Sequence, residues 1–327
     1  MGAAGVKVVL NHFQGMLAFD ASDALLAVTT PAFDISVLEL LLPLVSGACL
    51  VLAPSAATRD GAALATLLRG GTSPAYATIT RKHDAGTETA ASNPVDTKGS
   101  IPRITAMQAT PATWRMVLHA GWAGDGAVRV LCGGEAFPSA LRPLASTCRS
   151  VHNLYGPTEA TIWCTSHLVT TTSETLTSFG TRGVPIGLPL GYIGCKCAVV
   201  DLASGSHEVE AGEEGELWVS GPAIAVGYFG DKFAALTKER FVIRALSQDT
   251  MRWYRTGDVV VKSSDSALYF VRRVDDEQVS PWTYLYSTLA VPLCFFMFLS
   301  YNTISRLKSQ GTVSRSVKLK QLSGARN

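Results

Sequence analysis

From Asn153 to Trp163 the chain reads Asn-Leu-Tyr-Gly-Pro-Thr-Glu-Ala-Thr-Ile-Trp. Gly156 and Pro157 in succession make a tight turn. That turn presents the ring of Tyr155, the hydroxyl of Thr158 and the carboxylate of Glu159 from one short loop. Such a set suits a nucleotide, with a face for stacking, a donor for phosphate and an oxygen ligand for a hard cation such as Mg²⁺. A purely structural reading is a turn followed by a helix start capped by Thr158. It accounts for Gly156, Pro157 and Thr158 but not for the whole string.

The elements around this loop read as alternating strands and helices. Leu25–Thr30 is a strand, and Ile35, Leu38, Leu42 and Val45 recur at helical spacing up to a stop at Gly47. Ala48–Ala53 is then a continuous apolar run of a buried strand. Ile104–Trp122 repeats the pattern as strand then helix, Val128–Gly134 is a strand ending in glycines, and Ala140–Cys148 is a helix. Alternation of this kind predicts an α/β fold with parallel sheets covered by helices over residues 1–183. Thr72–Arg103 breaks it, loses periodicity and reads as an exposed loop insertion. From 184 to 279 short strands such as CAVVDL, GELWVSG and ALYFVRR predict a smaller β-rich subdomain.

Composition narrows the classes. With 327 residues and 47% hydrophobic content the chain buries a sizeable core. A net charge of +2 gives no electrostatic reason to expect a nucleic-acid partner. After Glu277 there are six basic and no acidic residues, which leaves a body of 22 basic and 26 acidic residues carrying a basic tail. Seven scattered cysteines, of which only Cys195 and Cys197 lie close together, show neither zinc-site spacing nor disulfide density. Together with an N-terminus unlike a secretory signal, they point to a reducing, cytoplasmic setting.

Tyr155–Glu159 is a signature of the adenylate-forming superfamily, and the whole string Asn153–Trp163 resembles the adenylation domains of nonribosomal peptide synthetases. Other segments resemble that family's motifs in the same order: FDISVLELLLPLVSGACLVLAP, QATPATWRMVLHAGW, LCGGEAFP, GELWVSGPAIAVGY and YRTGD. The resemblance runs from about Gly5 to Val279, apart from the insertion. It implies attack of an amino-acid carboxylate on the α-phosphorus of ATP, releasing pyrophosphate, and later transfer of the acyl group to a carrier-protein phosphopantetheine thiol.

By that resemblance Tyr155 stacks on adenine beside the backbone of Gly133, Gly134 and Glu135. Thr158 contacts the α-phosphate, Glu159 holds Mg²⁺ and Asp258 accepts from the ribose hydroxyls. Arg273 matches the arginine before the interdomain hinge, and Asp275 the hinge aspartate, although the run Arg272–Glu277 departs from the family's Gly-Arg-x-Asp. Asp34 matches the residue that pairs with the substrate's α-ammonium. The rest of the pocket is Ile35, Leu38, Gln108, Leu131, Gly133, Leu154, Ile162 and Trp163, a lining that is small and without charge. It is similar to the family's glycine-type pocket, so glycine is the expected substrate and alanine the second choice. Read without the resemblance, Ile35 and Leu38 are plain helix core.

Two family features have no counterpart here. The phosphate loop is expected just upstream of Asn11, where the chain has only MGAAGVKV. A C-terminal subdomain carrying a catalytic lysine is expected after Val279, where a run with no charge from 278 to 305 stands instead. Within that run Trp282–Tyr301 is about the ~20 residues that span a bilayer, with basic residues after it. Residues 280–327 therefore read either as a membrane-tethering tail or as an end unrelated to the body. The expectation is an adenylating domain whose catalysis by this chain alone is doubtful; the alternative is a non-catalytic or degenerate ATP- and amino-acid-binding fragment.

Overall fold

The computed structural model describes residues 2–71, 77–79, 102–171, 183–191, 194–246 and 250–275. The chain opens with helix α1 (Ala3–Met16), then strand β1 (Ala24–Ala27), α2 (Ser36–Ser46), β2 (Cys49–Leu52), α3 (Gly61–Leu68) and β3 (Ala77–Ile79). β4 (Ala106–Ala109), α4 (Pro111–His119), β5 (Arg129–Gly133), β6 (Ser150–Tyr155), β7 (Thr165–Leu168) and β8 (Leu188–Pro189) complete the first half. The second half holds β9 (Lys196–Val200), β10 (Glu214–Ser220), α5 (Ala234–Arg240), β11 (Phe241–Ala245), β12 (Thr250–Lys262) and β13 (Leu268–Arg273).

The first eight strands form one sheet in the order β3-β2-β1-β4-β5-β6-β7-β8. Its central run from β2 to β6 is parallel and its flanks are antiparallel. Side chains alternate across it, as the twofold period of a strand requires. Leu25, Ala106, Leu131 and Leu154 join Val9 and Phe13 of α1 and Leu38 and Leu42 of α2 on one face. Leu26, Met107, Val130 and Val151 join Leu64 and Leu67 of α3 and Trp114 and Val117 of α4 on the other. Every residue of β1 is buried, which is why its sequence is apolar without alternation. Residues 214–262 supply the heart of a second, antiparallel sheet, β11-β12-β10-β9, with β13 also paired to β12. The largely parallel sheet with covering helices and the smaller β-rich part are the architecture expected from the sequence, and the structure adds that the second sheet is antiparallel.

Three details differ from that expectation. Residues 77–79, placed in the insertion, form β3 and pair antiparallel with β2. Ser139–Ser146 is a 3₁₀ helix rather than an α-helix, with Pro143 inside it unable to supply an α-helical hydrogen bond. β8, just past position 184, pairs with β7 of the large sheet, while Gly187 bridges to Leu268 of the small one, so this segment serves both sheets. Among the described residues no helix is long and apolar enough to cross a membrane. The remainder of the expected insertion, the 280–327 tail and the 282–301 run lie outside the described residues.

Candidate functional site

The parallel strands deliver the motif residues at their C-terminal ends, the side of an open α/β sheet where ligands gather. Gln108 is next to last in β4, Gly133 ends β5, and Leu154 and Tyr155 end β6. The opposite end is closed by a buried ion pair, Arg129 Nη1 to Asp23 Oδ1 at 2.8 Å.

Past Tyr155 the chain turns so tightly that a Cβ on Gly156 would stand 2.5 Å from both the Ile162 carbonyl oxygen and Trp163 Cα. Thr161 and Ile162 then adopt φ of 56° and 77°. Left-handed backbone is uncommon at any non-glycine residue and costly at a β-branched one. Surrounding contacts hold it: Thr161 Oγ1 donates to the Ala223 carbonyl at 2.5 Å, and the Ala225 amide donates to the Glu159 carbonyl at 2.7 Å. The outcome is that Ile162 and Trp163 point back under the sheet's end, where both are buried.

Eight expected pocket positions, Ile35, Leu38, Gln108, Leu131, Gly133, Leu154, Ile162 and Trp163, are brought together and buried. The Trp163 ring lies against Gly133, where a Cβ would come within 2.5 Å of it. Its indole N–H donates to Gln108 Oε1 at 2.9 Å, and Gln108 Nε2 donates to the Ile35 carbonyl at 2.7 Å. Ile35 and Leu38 are core, packed with α1 and β1, as the reading without the resemblance has it. Asp34 is partly buried just before α2. Burial pushes its carboxyl above the usual range, against the opposing hydrogen bond from Thr158.

Three of the expected nucleotide positions, Tyr155, Asp258 and Arg273, meet across the two sheets. In β12 the register against β10 slips between Glu216 and Trp218, and Thr256, Gly257 and Asp258 bulge out. Gly257 takes φ of 73°, its amide donates to Glu216 Oε1 at 3.1 Å, and the Asp258 amide donates to Thr256 Oγ1 at 3.0 Å. The bulge aims Asp258 at β6, where the Tyr155 hydroxyl donates to its Oδ2, while Arg273 Nη1 lies 2.8 Å from Oδ1. Burial and the Asp258 charge together raise the Tyr155 phenol well above its ordinary range, so it remains a donor. Each carboxylate oxygen keeps a further lone pair for a ligand hydroxyl. Gly134, at φ of 89°, and Glu135 are exposed beyond β5. Asp275 lies 3.5 Å from Arg273 and 3.7 Å from Arg240.

Thr158 is exposed on the same loop, and Glu159 accepts a hydrogen bond from the Tyr228 hydroxyl at 2.7 Å. Among the described residues no group of three or more His, Cys, Asp or Glu side chains could hold a metal ion. A lone carboxylate suits Mg²⁺ all the same, because this ion commonly takes one or two protein carboxylates and completes its shell with phosphate and water. Glu159 would hold it, and the ion would supply charge neutralisation at the phosphates. Sequence reasoning left out two residues bonded to expected site residues, Tyr228 to Glu159 and Glu39 to Gln108. Tyr228 closes the GELWVSGPAIAVGY motif and gave no separate signal. Glu39 did, as a single charge inside the apolar run of α2.

A family model described as AMP-binding enzyme matches residues 96–229. The dimodular nonribosomal peptide synthase of Bacillus subtilis is 35% identical over 269 residues, 82% of this chain and 10% of that protein. This chain belongs to the adenylation-domain family of nonribosomal peptide synthetases. Pyochelin synthetase PchE of Pseudomonas aeruginosa is likewise 35% identical over 84% of the chain and 16% of its own length. The adenylation-type chain thus spans about a tenth to a sixth of these relatives. Among solved structures, the four-domain nonribosomal peptide synthetase holo-AB3403, bound to AMP and glycine, matches with a TM-score of 0.64 and 30% identity, over 83% of this chain and 17% of that one. The Vibrio cholerae adenylation domain AlmE shares the fold, with a TM-score of 0.61 at 21% identity over 83% of this chain and 44% of that one.

Proposed function

We propose that this chain supplies the adenosine and amino-acid pockets of an adenylation domain that activates glycine with ATP, within a complete nonribosomal peptide synthetase. The observation that carries the substrate reading is the seat of Trp163 on Gly133, with its indole nitrogen tied to Gln108. In this reading they fill the space beyond Asp34 with uncharged groups, and a charged substrate side chain would be buried there without a partner. The glycine bound to holo-AB3403, the 30% identical relative, supports the same reading.

In this reading Asp34 pairs with the substrate's α-ammonium and sets its carboxylate toward Thr158. Asp258 accepts from the ribose hydroxyls, kept in place by Tyr155 and Arg273 on either side. A carboxylate oxygen attacks the α-phosphorus, the bond to the bridging oxygen breaks, and pyrophosphate leaves with the electron pair. These residues contribute position and fixed charge, which is most of what phosphoryl-type transfer requires. The product acyl-adenylate then meets a carrier-protein phosphopantetheine thiol, whose sulfur displaces AMP from the carbonyl carbon.

A direct test is calorimetric binding of AMP and of non-hydrolysable glycyl-, alanyl- and glutamyl-adenylate analogues to the folded chain. The glycyl analogue is expected to bind about tenfold or more tighter than the alanyl one, since one methyl group in a shaped pocket contributes about 1–3 kcal/mol. Asp258→Ala is expected to weaken AMP and every analogue alike. A folded chain that binds neither AMP nor the glycyl analogue overturns the proposal. Equal affinity for the three analogues overturns the glycine assignment alone.

A further inference from the structure

Glu39 lies in α2 with no exposed surface, and it belongs to no expected pocket position. Its Oε2 accepts from the backbone amides of Val28 at 2.8 Å and Thr29 at 2.9 Å, just past the end of β1. Its Oε1 accepts from Gln108 Nε2 at 3.0 Å. Gln108 then has one arrangement available. Its NH₂ faces two acceptors, Glu39 and the Ile35 carbonyl, and its oxygen faces the one donor, the Trp163 indole N–H. A flipped amide would put two donors face to face at Trp163 and acceptors face to face at Glu39 and Ile35. Unpaired polar atoms in so closed a place are costly.

We infer that Glu39 is a positioning residue for substrate selection: as an acceptor-only group it fixes the Gln108 amide, and through it the Trp163 ring that closes the pocket to side chains larger than glycine's. The inference rests on the glycine reading for its consequence in selectivity, but its structural part stands on these hydrogen bonds alone. A residue merely filling space would be replaced by glutamine without effect on Trp163, since the two side chains have nearly the same shape. Glutamine at 39 cannot accept in all three directions. With its oxygen toward Val28 and Thr29, its NH₂ opposes that of Gln108; reversed, its NH₂ opposes the two backbone amides.

The test uses the ¹⁵N-labelled full chain and follows the indole N–H resonances. In Glu39→Gln the Trp163 signal is expected to shift and exchange with solvent at least tenfold faster. Trp114, whose indole donates to the Leu131 carbonyl, serves as the internal control and is expected to stay put. The preference for glycyl over alanyl-adenylate analogue is expected to fall at least fivefold, with AMP affinity unchanged. Gln108→Met removes the amide that Glu39 orients, so in that background Glu39→Gln is expected to move the Trp163 resonance no further. Lacking the two opposed NH₂ groups, this pair also supplies the test if the single variant folds poorly. An unshifted Trp163 resonance in Glu39→Gln, or a further shift in the Gln108→Met background, overturns the inference. If wild type binds no analogue, the glycine reading falls, and the indole measurement decides the positioning role by itself.

Discussion

Asp34 carries a cost in the folded chain that the recognition role proposed for it would offset. Burial raises its carboxyl above the ordinary range, so at a pH above that raised value the folded protein holds a charge it would rather neutralise. By linkage, this group withdraws stability as pH rises through its folded pKa, because the folded state binds the extra proton below it. The ligand ammonium proposed to pair with the ionised form would reverse the balance. Affinity for the glycyl analogue is therefore expected to drop as pH falls through the raised pKa of Asp34, while AMP affinity does not follow. Calorimetric titrations of both ligands between about pH 4 and 7, spanning the region above the reference carboxylate value, check this, and parallel curves would remove Asp34 from ammonium binding. The role proposed for this residue rests on its motif, since nothing in Phe-Asp-Ile-Ser by itself assigns the aspartate to a pocket.

The decisive element is the loop between β6 and β7. Its string of residue types was the strongest chemical signal in the sequence, yet the left-handed backbone at Thr161 and Ile162 was not visible there, since neither residue type favours it. Close approach of the returning chain to Gly156 is what enforces the path, because a Cβ would meet backbone atoms on three successive residues. Gly156→Ala is expected to lower stability by about 1–3 kcal/mol, the usual cost of overpacking backbone that cannot give way. Gly126→Ala, at an exposed turn with nothing within 4 Å, is expected to change it by less than about 0.5 kcal/mol. Denaturant unfolding of the two variants compares them directly, and equal stabilities would mean that the loop can relax. The bulge of β12 works in the same manner. YRTGD stands out in the sequence only as a motif, and pairing with β10 makes it the bulge that aims Asp258 at Tyr155.

At the scale of the molecule, the two sheets share a core. Ala160 and Cys164 from the β6–β7 loop and Ile186 before β8 pack with Val199, Leu217, Val219, Val260 and Leu268 of the antiparallel sheet. The Tyr155–Asp258 bond and the bond from Asn153 Nδ2 to the Pro185 carbonyl at 2.7 Å tie the same junction. The described body is accordingly expected to unfold in one cooperative step. Trp114 and Trp122 report on the first sheet and Trp218 and Trp253 on the second, so fluorescence of single-tryptophan variants should give coincident midpoints. Tyr155→Phe should lower all of them together, with a loss of about 1.5–3 kcal/mol in stability, the range for a lost hydrogen bond to a charged group. Separate midpoints for the two sheets would refute the shared core.

The sequence by itself determined the alternation of apolar strands and helices, the parallel sheet, a β-rich part after it, and the residue types of the expected site. These follow from local periodicity and from short motifs, each carried by a few neighbouring residues. Only the tertiary structure decided that residues 77–79 pair as an edge strand, that Tyr155 donates to Asp258 across two sheets, and that Glu39 underpins Gln108 and Trp163. Such contacts join residues dozens of positions apart, and what specifies them is the packing of whole elements and the need of every buried polar atom for a partner.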